Sequence, residues 1–192
     1  MSDVKSKIRR SILFNRRLLS NQVFNERNDL VIDRLDSFLA LKAIQHIHCF
    51  LPILRNREID TWPLIKKLTE QGKDVVVSAT DFEKQTMSHF GYSSDMVLEN
   101  DRFGIPTPVS GKTAPIELVD CIIIPMLAGD KKGNRIGYGK GYYDRLLAEM
   151  SVEVLKVGIT LGSLFDNFNF VEPHDICLDY VITPFETVKC YE

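Results

Sequence analysis

Apolar residues recur at two different spacings along this chain, and the change from one to the other marks out its elements. Val4, Ile8 and Ile12 stand four residues apart among Lys5, Lys7, Arg9 and Arg10, which predicts an amphipathic helix at the start. A second helix is predicted over about residues 22–41, carrying Val23, Leu30, Ile32, Leu35, Phe38 and Leu39. Residues 44–51 (IQHIHCFL) then read as a strand. Beyond Pro52 lies a charged loop, Arg55-Asn56-Arg57-Glu58. Thr61 is placed to cap a helix running to about residue 71, with Pro63 in the first turn, where its missing N–H costs little. Gly72 closes that helix, and residues 74–78 (DVVVS) form a short strand of buried type.

Residues 80–112 are dense in Gly, Pro and Ser, which predicts short strands and loops, with Gly104-Ile105-Pro106-Thr107-Pro108 as a stiff connector. The run VDCIIIPML within residues 118–127 is continuously apolar, as in a strand covered on both faces. A helix over residues 142–149 and strands over 154–161 and 179–183 complete the pattern. Helices alternating with apolar strands predict one α/β domain over residues 1–192. Its expected form is a three-layer sandwich, with a mostly parallel sheet of about six strands flanked by helices.

Composition adds exclusions. A hydrophobic fraction of 44% and a charged fraction of 26% are ordinary for a globular protein, so neither disorder nor a fibrous fold is indicated. The net charge of −2 argues against a broad nucleic-acid-binding face, although a small anion needs only a few cations. No apolar run approaches the roughly 20 residues that span a bilayer. The N-terminus, with charges scattered through it, lacks a signal-peptide segment. No nucleic-acid or membrane partner is therefore expected, and the expected location is cytoplasmic. Cys49, Cys121, Cys177 and Cys190 form no CxxC pair and are read as reduced and structural, which disfavours zinc or thiol catalysis.

The chemistry concentrates after the 118–127 run. Residues 129–141 hold five glycines in thirteen positions, a costly density for a mere connector. Glycine lets backbone N–H groups approach phosphate oxygens, and the helix beginning near residue 142 adds unpaired donors and partial positive charge. Arg135 and Lys140 bring full charges to the same stretch. The C-terminal end of a buried strand is also where open α/β sheets bind ligands. Two familiar loops are excluded: Lys140 is followed by Gly141 rather than Ser or Thr, and position 142 is Tyr rather than Gly. With Tyr142-Tyr143-Asp144 alongside, an anion-binding loop fits better than a flexible surface loop.

The run Gly133-Asn134-Arg135-Ile136-Gly137-Tyr138-Gly139-Lys140-Gly141-Tyr142-Tyr143-Asp144 closely resembles the signature of the 5-formyltetrahydrofolate cyclo-ligase (methenyltetrahydrofolate synthetase) family. Lys5 and Arg9, spaced KxxxR, resemble that family's N-terminal ATP contacts. Glu58-Ile59-Asp60-Thr61, after Phe50-Leu51-Pro52, resembles its folate-contacting segment. His174-Asp175 followed by Asp179 resembles its metal-site region. The chain departs from the family pattern in three places. Thr107 stands where many members have Glu, the stretch between Leu51 and Glu58 is slightly long, and Tyr138 stands where some members have Arg.

The resemblance implies ATP-dependent cyclisation of 5-formyltetrahydrofolate to 5,10-methenyltetrahydrofolate, with release of ADP and phosphate, through phosphorylation of the formyl oxygen. It implies ATP contacts at Lys5, Arg9, Arg135, Ile136, Gly137, Tyr138, Gly139, Lys140, Gly141, Tyr142 and Tyr143. Lys140, Arg135 and Tyr143 would serve catalysis, and Leu51, Glu58, Tyr138 and Tyr142 the folate. Asp144 and Asp175 would hold Mg²⁺. ATP, Mg²⁺ and the folate are thus the expected small-molecule partners of a chain expected to act as a monomer.

The remaining candidates receive plainer readings. His46 and His48 share a strand face but lack a third ligand nearby, so strand packing is preferred to a metal site. His89 carries no legible role, His174 is read as orienting its loop, and Trp62 as covering the core edge. The basic run through Arg16-Arg17 is read as a solvated helix face apart from Arg9. The alternatives are a sugar-phosphate isomerase or CoA-transferase-like enzyme on a related fold, or a non-catalytic folate- or nucleotide-binding protein. The first two need a base or a nucleophilic Glu that no motif singles out. A binder has no need of Lys140, Asp144 and Asp175 together.

Overall fold

A computed structural model of the chain describes residues 2–172 and 175–190. It opens with two helices, α1 (Ser2–Leu18) and α2 (Asn21–Ala40). The break between them is set by Ser20, whose extended backbone and side-chain oxygen, accepting from the Val23 N–H at 3.2 Å, start the second helix. Strand β1 (His46–His48) follows, then α3 (Trp62–Glu70), β2 (Asp74–Asp81), β3 (Thr86–Gly91), β4 (Leu98–Asn100) and β5 (Pro106–Pro108). After β6 (Cys121–Pro125) come the two-residue strands β7 (Ala128–Gly129) and β8 (Arg135–Ile136) and the helix α4 (Tyr142–Glu149). Strands β9 (Leu155–Ile159), β10 (Tyr180–Ile182) and β11 (Thr187–Lys189) end the fold.

Seven strands form the main sheet in the order β11-β10-β9-β6-β1-β2-β3. The five inner strands are parallel, and β3 and β11 join their neighbours antiparallel at the two edges. The expected sheet of about six strands is thus seven. Strand β3 (TMSHFG) falls in the stretch where short strands and loops are expected, whereas β11 (TVK) is only partly covered and carries no apolar run that predicts it. Strands also prove shorter than their apolar runs. Of residues 44–51 only three belong to β1, and the chain leaves the ladder after the Cys49 N–H bonds to the Val76 carbonyl at 2.8 Å.

Alternation along β6 shows why its apolar run is continuous. Cys121 and Ile123 face one side, where Val31, Leu35 and Leu39 of α2 and Leu64, Ile65 and Leu68 of α3 pack against them. Ile122 and Ile124 face the other side, against Leu146 and Leu147 of α4. Helix α1 lies elsewhere, with Ile8 and Ile12 against Ala128 and Ile136 of the β7–β8 ribbon and Phe168. Trp62 does cover the core edge, beside Tyr92. The expected Thr61 cap is different in kind. Its hydroxyl donates to the Phe50 carbonyl at 2.8 Å, and Asp60 Oδ1 instead accepts from the Trp62 N–H at 3.0 Å. Cys49 and Cys121 are buried free thiols, that of Cys49 pushed up to about 12 by burial, so both act as core apolar groups. Among the described residues no helix is long and apolar enough to cross a membrane.

The strand order places the site. From β1 the chain builds one way, to β2 and β3, and then returns to lay β6, β9, β10 and β11 on β1's other side. The crevice beyond the C-terminal ends of β1 and β6 is therefore a topological switch point, where ligands bind in open sheets. A core test follows from the same packing. Ile123→Ala should cost about 2–5 kcal/mol in urea unfolding, whereas truncating the exposed Leu41 should change stability by less than about 0.5 kcal/mol.

Candidate active site

The glycine-rich loop is built in two parts. Its first half is a ribbon turn between β7 and β8, tied by the fully buried Asp130. Asp130 Oδ1 accepts from the Lys132 and Asn134 N–H groups at 3.0 and 2.9 Å, and Oδ2 from Phe168 N–H at 2.8 Å. Gly133 is a packing requirement here, since a Cβ would overlap the Leu178 carbonyl oxygen. The second half, residues 137–141, behaves differently. At Gly137 nothing lies within 4 Å of where a Cβ would stand, so the protein's own atoms leave that space open. Gly141 adopts a left-handed conformation at the head of α4, and no side chain caps the helix. Free N–H groups and helix polarity therefore face the loop.

Helix α1 holds this loop from outside. Arg9 Nε donates to the Gly137 carbonyl at 3.0 Å, and a Cβ at Gly139 would lie 2.9 Å from Arg9 Cζ. One turn earlier, Lys5 Nζ is 2.8 Å from Asp175 Oδ2 and 3.7 Å from Glu172 Oε1. Farther along, Arg16 donates to the Met126 carbonyl at 3.2 Å and to the Tyr138 hydroxyl at 3.4 Å. Arg16 is only 5% exposed, which corrects its reading as part of a solvated face. The signal was present in the sequence: Arg16 lies two turns after Arg9 on the same helical stripe.

Two charged centres meet in the crevice. In the first, the Arg135 guanidinium, its side chain 7% exposed, donates to Asp144 and to the Ile176 carbonyl. Burial lowers the Arg135 pKa, while Asp144 and Asp175 act to raise it, so both carboxylates lie within its field. In the second, Glu58, 5% exposed, accepts the Ile53 N–H at 2.7 Å and lies in the field of the Tyr138 hydroxyl and of Arg16. Burial raises the Glu58 carboxyl above its ordinary range, against the lowering effects of the Ile53 N–H, Tyr138 and Arg16. Burial, then Glu58, likewise pushes the Tyr138 hydroxyl up. Tyr143 stands between the centres, its hydroxyl raised chiefly by burial and next by Glu58, with Arg135 opposing.

Leu51 is buried in the core beside Phe50. Lys140 is exposed, and its ammonium has no hydrogen bond or ion pair among the described residues. Tyr142 lies near Phe82, in the turn after β2, and beneath Arg145. Asp144 is paired with Arg135 and Asp175 with Lys5, Asp175 lies near enough to act on the Arg135 charge, and Asp144 Oδ2 accepts no hydrogen bond among the described residues. His46 lies between Asp74 and Asp120, while His48 is buried on Ser78. His174 lies outside the described residues. A cleft of about 160 Å³ between α1 and residues 161–163 shares Arg16 with this site but none of Arg135, Tyr143 or Asp144.

Residues 1–184 match the 5-formyltetrahydrofolate cyclo-ligase family. The chain belongs to that family. It is 45% identical over 64 residues to the 5-formyltetrahydrofolate cyclo-ligase of Mycoplasma genitalium, covering 33% of this chain and 38% of that one. With the enzyme of that name from Escherichia coli K12 it shares 27% identity over 173 residues, covering 88% and 94% of the two chains. The solution structure of 5,10-methenyltetrahydrofolate synthetase from Aquifex aeolicus superposes with a TM-score of 0.84 at 29% identity, over 98% of this chain and 94% of that one. The mostly parallel α/β architecture is therefore the family's own.

Within a cyclo-ligase fold the buried Glu58 gives a clear test. A carboxyl whose folded-state pKa is raised favours folding while protonated, and that advantage is lost as pH rises from about 4.5 through the raised value. Glu58→Gln should therefore gain stability relative to the parent as pH rises towards 7, and lose activity. Parallel thermal melts across pH, alongside turnover, read both outcomes. A variant less stable at pH 7 than at pH 4, relative to the parent, contradicts the assignment.

Proposed function

We propose that this chain catalyses the ATP-dependent closure of 5-formyltetrahydrofolate to 5,10-methenyltetrahydrofolate, releasing ADP and phosphate. The observation that carries the reading is the meeting, at one switch point, of a cation-lined glycine loop and a buried carboxylate, in a chain of the cyclo-ligase family. This supports it over the isomerase, CoA-transfer and simple binding readings.

In this reading the nucleotide phosphates lie along residues 136–141 and the open head of α4. Lys5, Arg9, Arg135 and Lys140 neutralise their charge, and Tyr142 and Tyr143 flank them. The space at Gly137 admits an oxygen close to the backbone. Glu58, Tyr138 and Arg16 form the polar wall that accepts the donor edge of the folate ring, with Leu51 as its apolar neighbour. The formyl oxygen attacks the γ-phosphorus as the bond to ADP breaks. The nearby secondary amine then attacks the activated formyl carbon, its proton is lost, and phosphate departs with the former formyl oxygen. Such transfer asks the protein for alignment and for charge neutralisation. Lys140, uncommitted in the resting protein, is the cation best able to follow the transferring group.

The oxygen donors of Asp144 and Asp175 fit Mg²⁺, which favours carboxylate and water ligands. When bound there, the ion would offset phosphate charge. Asp144 presents its free Oδ2 to that role.

Purified protein, the folate, ATP and Mg²⁺ should yield the methenyl chromophore, and no chromophore would reject the proposal. Lys140→Ala should lower kcat on the order of 100-fold with little change in folate KM. Asp144→Asn should raise the Mg²⁺ concentration needed for half-maximal rate; a merely structural Asp144 would lower the melting temperature and leave that requirement alone.

A further inference from the structure

On the face of the sheet beneath α4, an apolar surface of Val76, Ile122, Ile124 and Val181 is interrupted by a row of three polar side chains. His48 on β1 is fully buried, and its Nε2 lies 2.7 Å from Ser78 Oγ on β2. Ser78 Oγ in turn lies 2.9 Å from His89 Nδ1 on β3. The register creates the row: Ser78 pairs directly with His89, and it follows by two residues the Val76 that pairs with His48. At its inner end the His48 ring meets Tyr143 edge to face, with centroids 6.3 Å apart and planes at 80°. At its outer end His89 is half-buried, within the field of Glu117 and of Glu149 on α4.

Three apolar residues would cost less to bury there. His48 even leaves its Nδ1 without a partner. Burial keeps both rings neutral, that of His48 pushed down to about 3 with His89 as a second cause. A hydroxyl has one proton to give, so Ser78 accepts from one neutral ring and donates to the other. With Nε2–H on His48, the orphaned Nδ1 is an acceptor, which costs less than a buried free N–H. Both ring orientations are thereby fixed by hydrogen bonds rather than by shape alone.

We propose that His48 and Ser78 are positioning residues: the row seats the Tyr143 ring, and through it the first turn of α4 and the end of the glycine loop, in working alignment. The inference rests on the reading of Tyr143 and the loop as part of the reacting site. An error of about 1 Å in such alignment lowers rates by up to about 100-fold.

Ser78→Ala removes the link and little volume. It should lower kcat about tenfold, leave the KM values for ATP and folate within about threefold, and be rescued by Ser78→Thr. His48→Gln, which keeps an N–H for Ser78 but no ring for Tyr143, should lose at least as much. In a Tyr143→Leu background, Ser78→Ala should add no further loss, because the two act as one unit. A parent-like kcat for Ser78→Ala beside an active parent overturns this inference and leaves the proposed function standing. A parent without cyclisation fails the proposed function instead. One arm needs no activity: the nuclear Overhauser contact between the His48 and Tyr143 rings, resolvable in a chain with four histidines, should weaken in Ser78→Ala. An unchanged contact overturns the inference.

Discussion

One buried guanidinium, that of Arg135, joins three stretches of chain that otherwise share no regular structure. It leaves the end of the β7–β8 ribbon, bonds to Asp144 in the first turn of α4, and bonds to the Ile176 carbonyl in the long connection before β10. A charge this enclosed is tolerated because its donors are taken up by a carboxylate and a backbone oxygen, with Asp175 near enough to add to the balance. Removing either side would leave an unpaired charge in the crevice, an effect of about 3–5 kcal/mol in comparable buried pairs. The ends of loop, helix and connection therefore keep a common position, and that position is the candidate site.

The second half of the glycine loop has no such internal tie. Asp130 organises the ribbon turn, but beyond Ile136 the loop is held by the helices beside it, through Arg9 of α1 at the Gly137 carbonyl and Arg145 of α4 at the Lys140 carbonyl. Helix α1 thus has two faces with two tasks. Ile8 and Ile12 anchor it to the ribbon, and Lys5, Arg9 and Arg16 extend from it into the crevice. This division offsets how little apolar surface the helix buries. It is fastened as much by its cations as by its core.

Much of this was readable in the chain. The continuous run at β6 and the helix at residues 142–149 were placed closely, because burial on both faces and an amphipathic stripe leave strong patterns. Edge strand β11 carries no such pattern, and β3 is legible only as part of a stretch of short strands and loops, since half-covered strands admit polar residues and lose their alternation. Within the site, Glu58, Lys5, Arg9 and the loop could be named because they recur as linear motifs. The His48–Ser78–His89 row could not, because its meaning arises only when separate elements meet. Ser78 in particular is an ordinary strand residue until register sets it between two imidazoles.

The charge arrangement of the resting site bears on how the proposed substrates would enter. Lys5 is satisfied by Asp175, and Arg135 by Asp144, so two cations and two carboxylates already neutralise one another. A bare polyanion arriving here would gain the cations but face the carboxylates. A nucleotide accompanied by a divalent cation meets neither difficulty, because phosphate oxygens can approach Lys5 and Arg135 as the ion approaches Asp144 and Asp175. Each buried charge then keeps a partner throughout, and the low-dielectric crevice never has to hold an unpaired one. Lys140 is the exception: among the described residues its ammonium has no carboxylate to leave, so on this reading its charge would be unspent until a phosphate arrives. On the proposed reading, the site would by its own electrostatics favour the metal–nucleotide pair over the free nucleotide, with Lys140 kept for the group that moves.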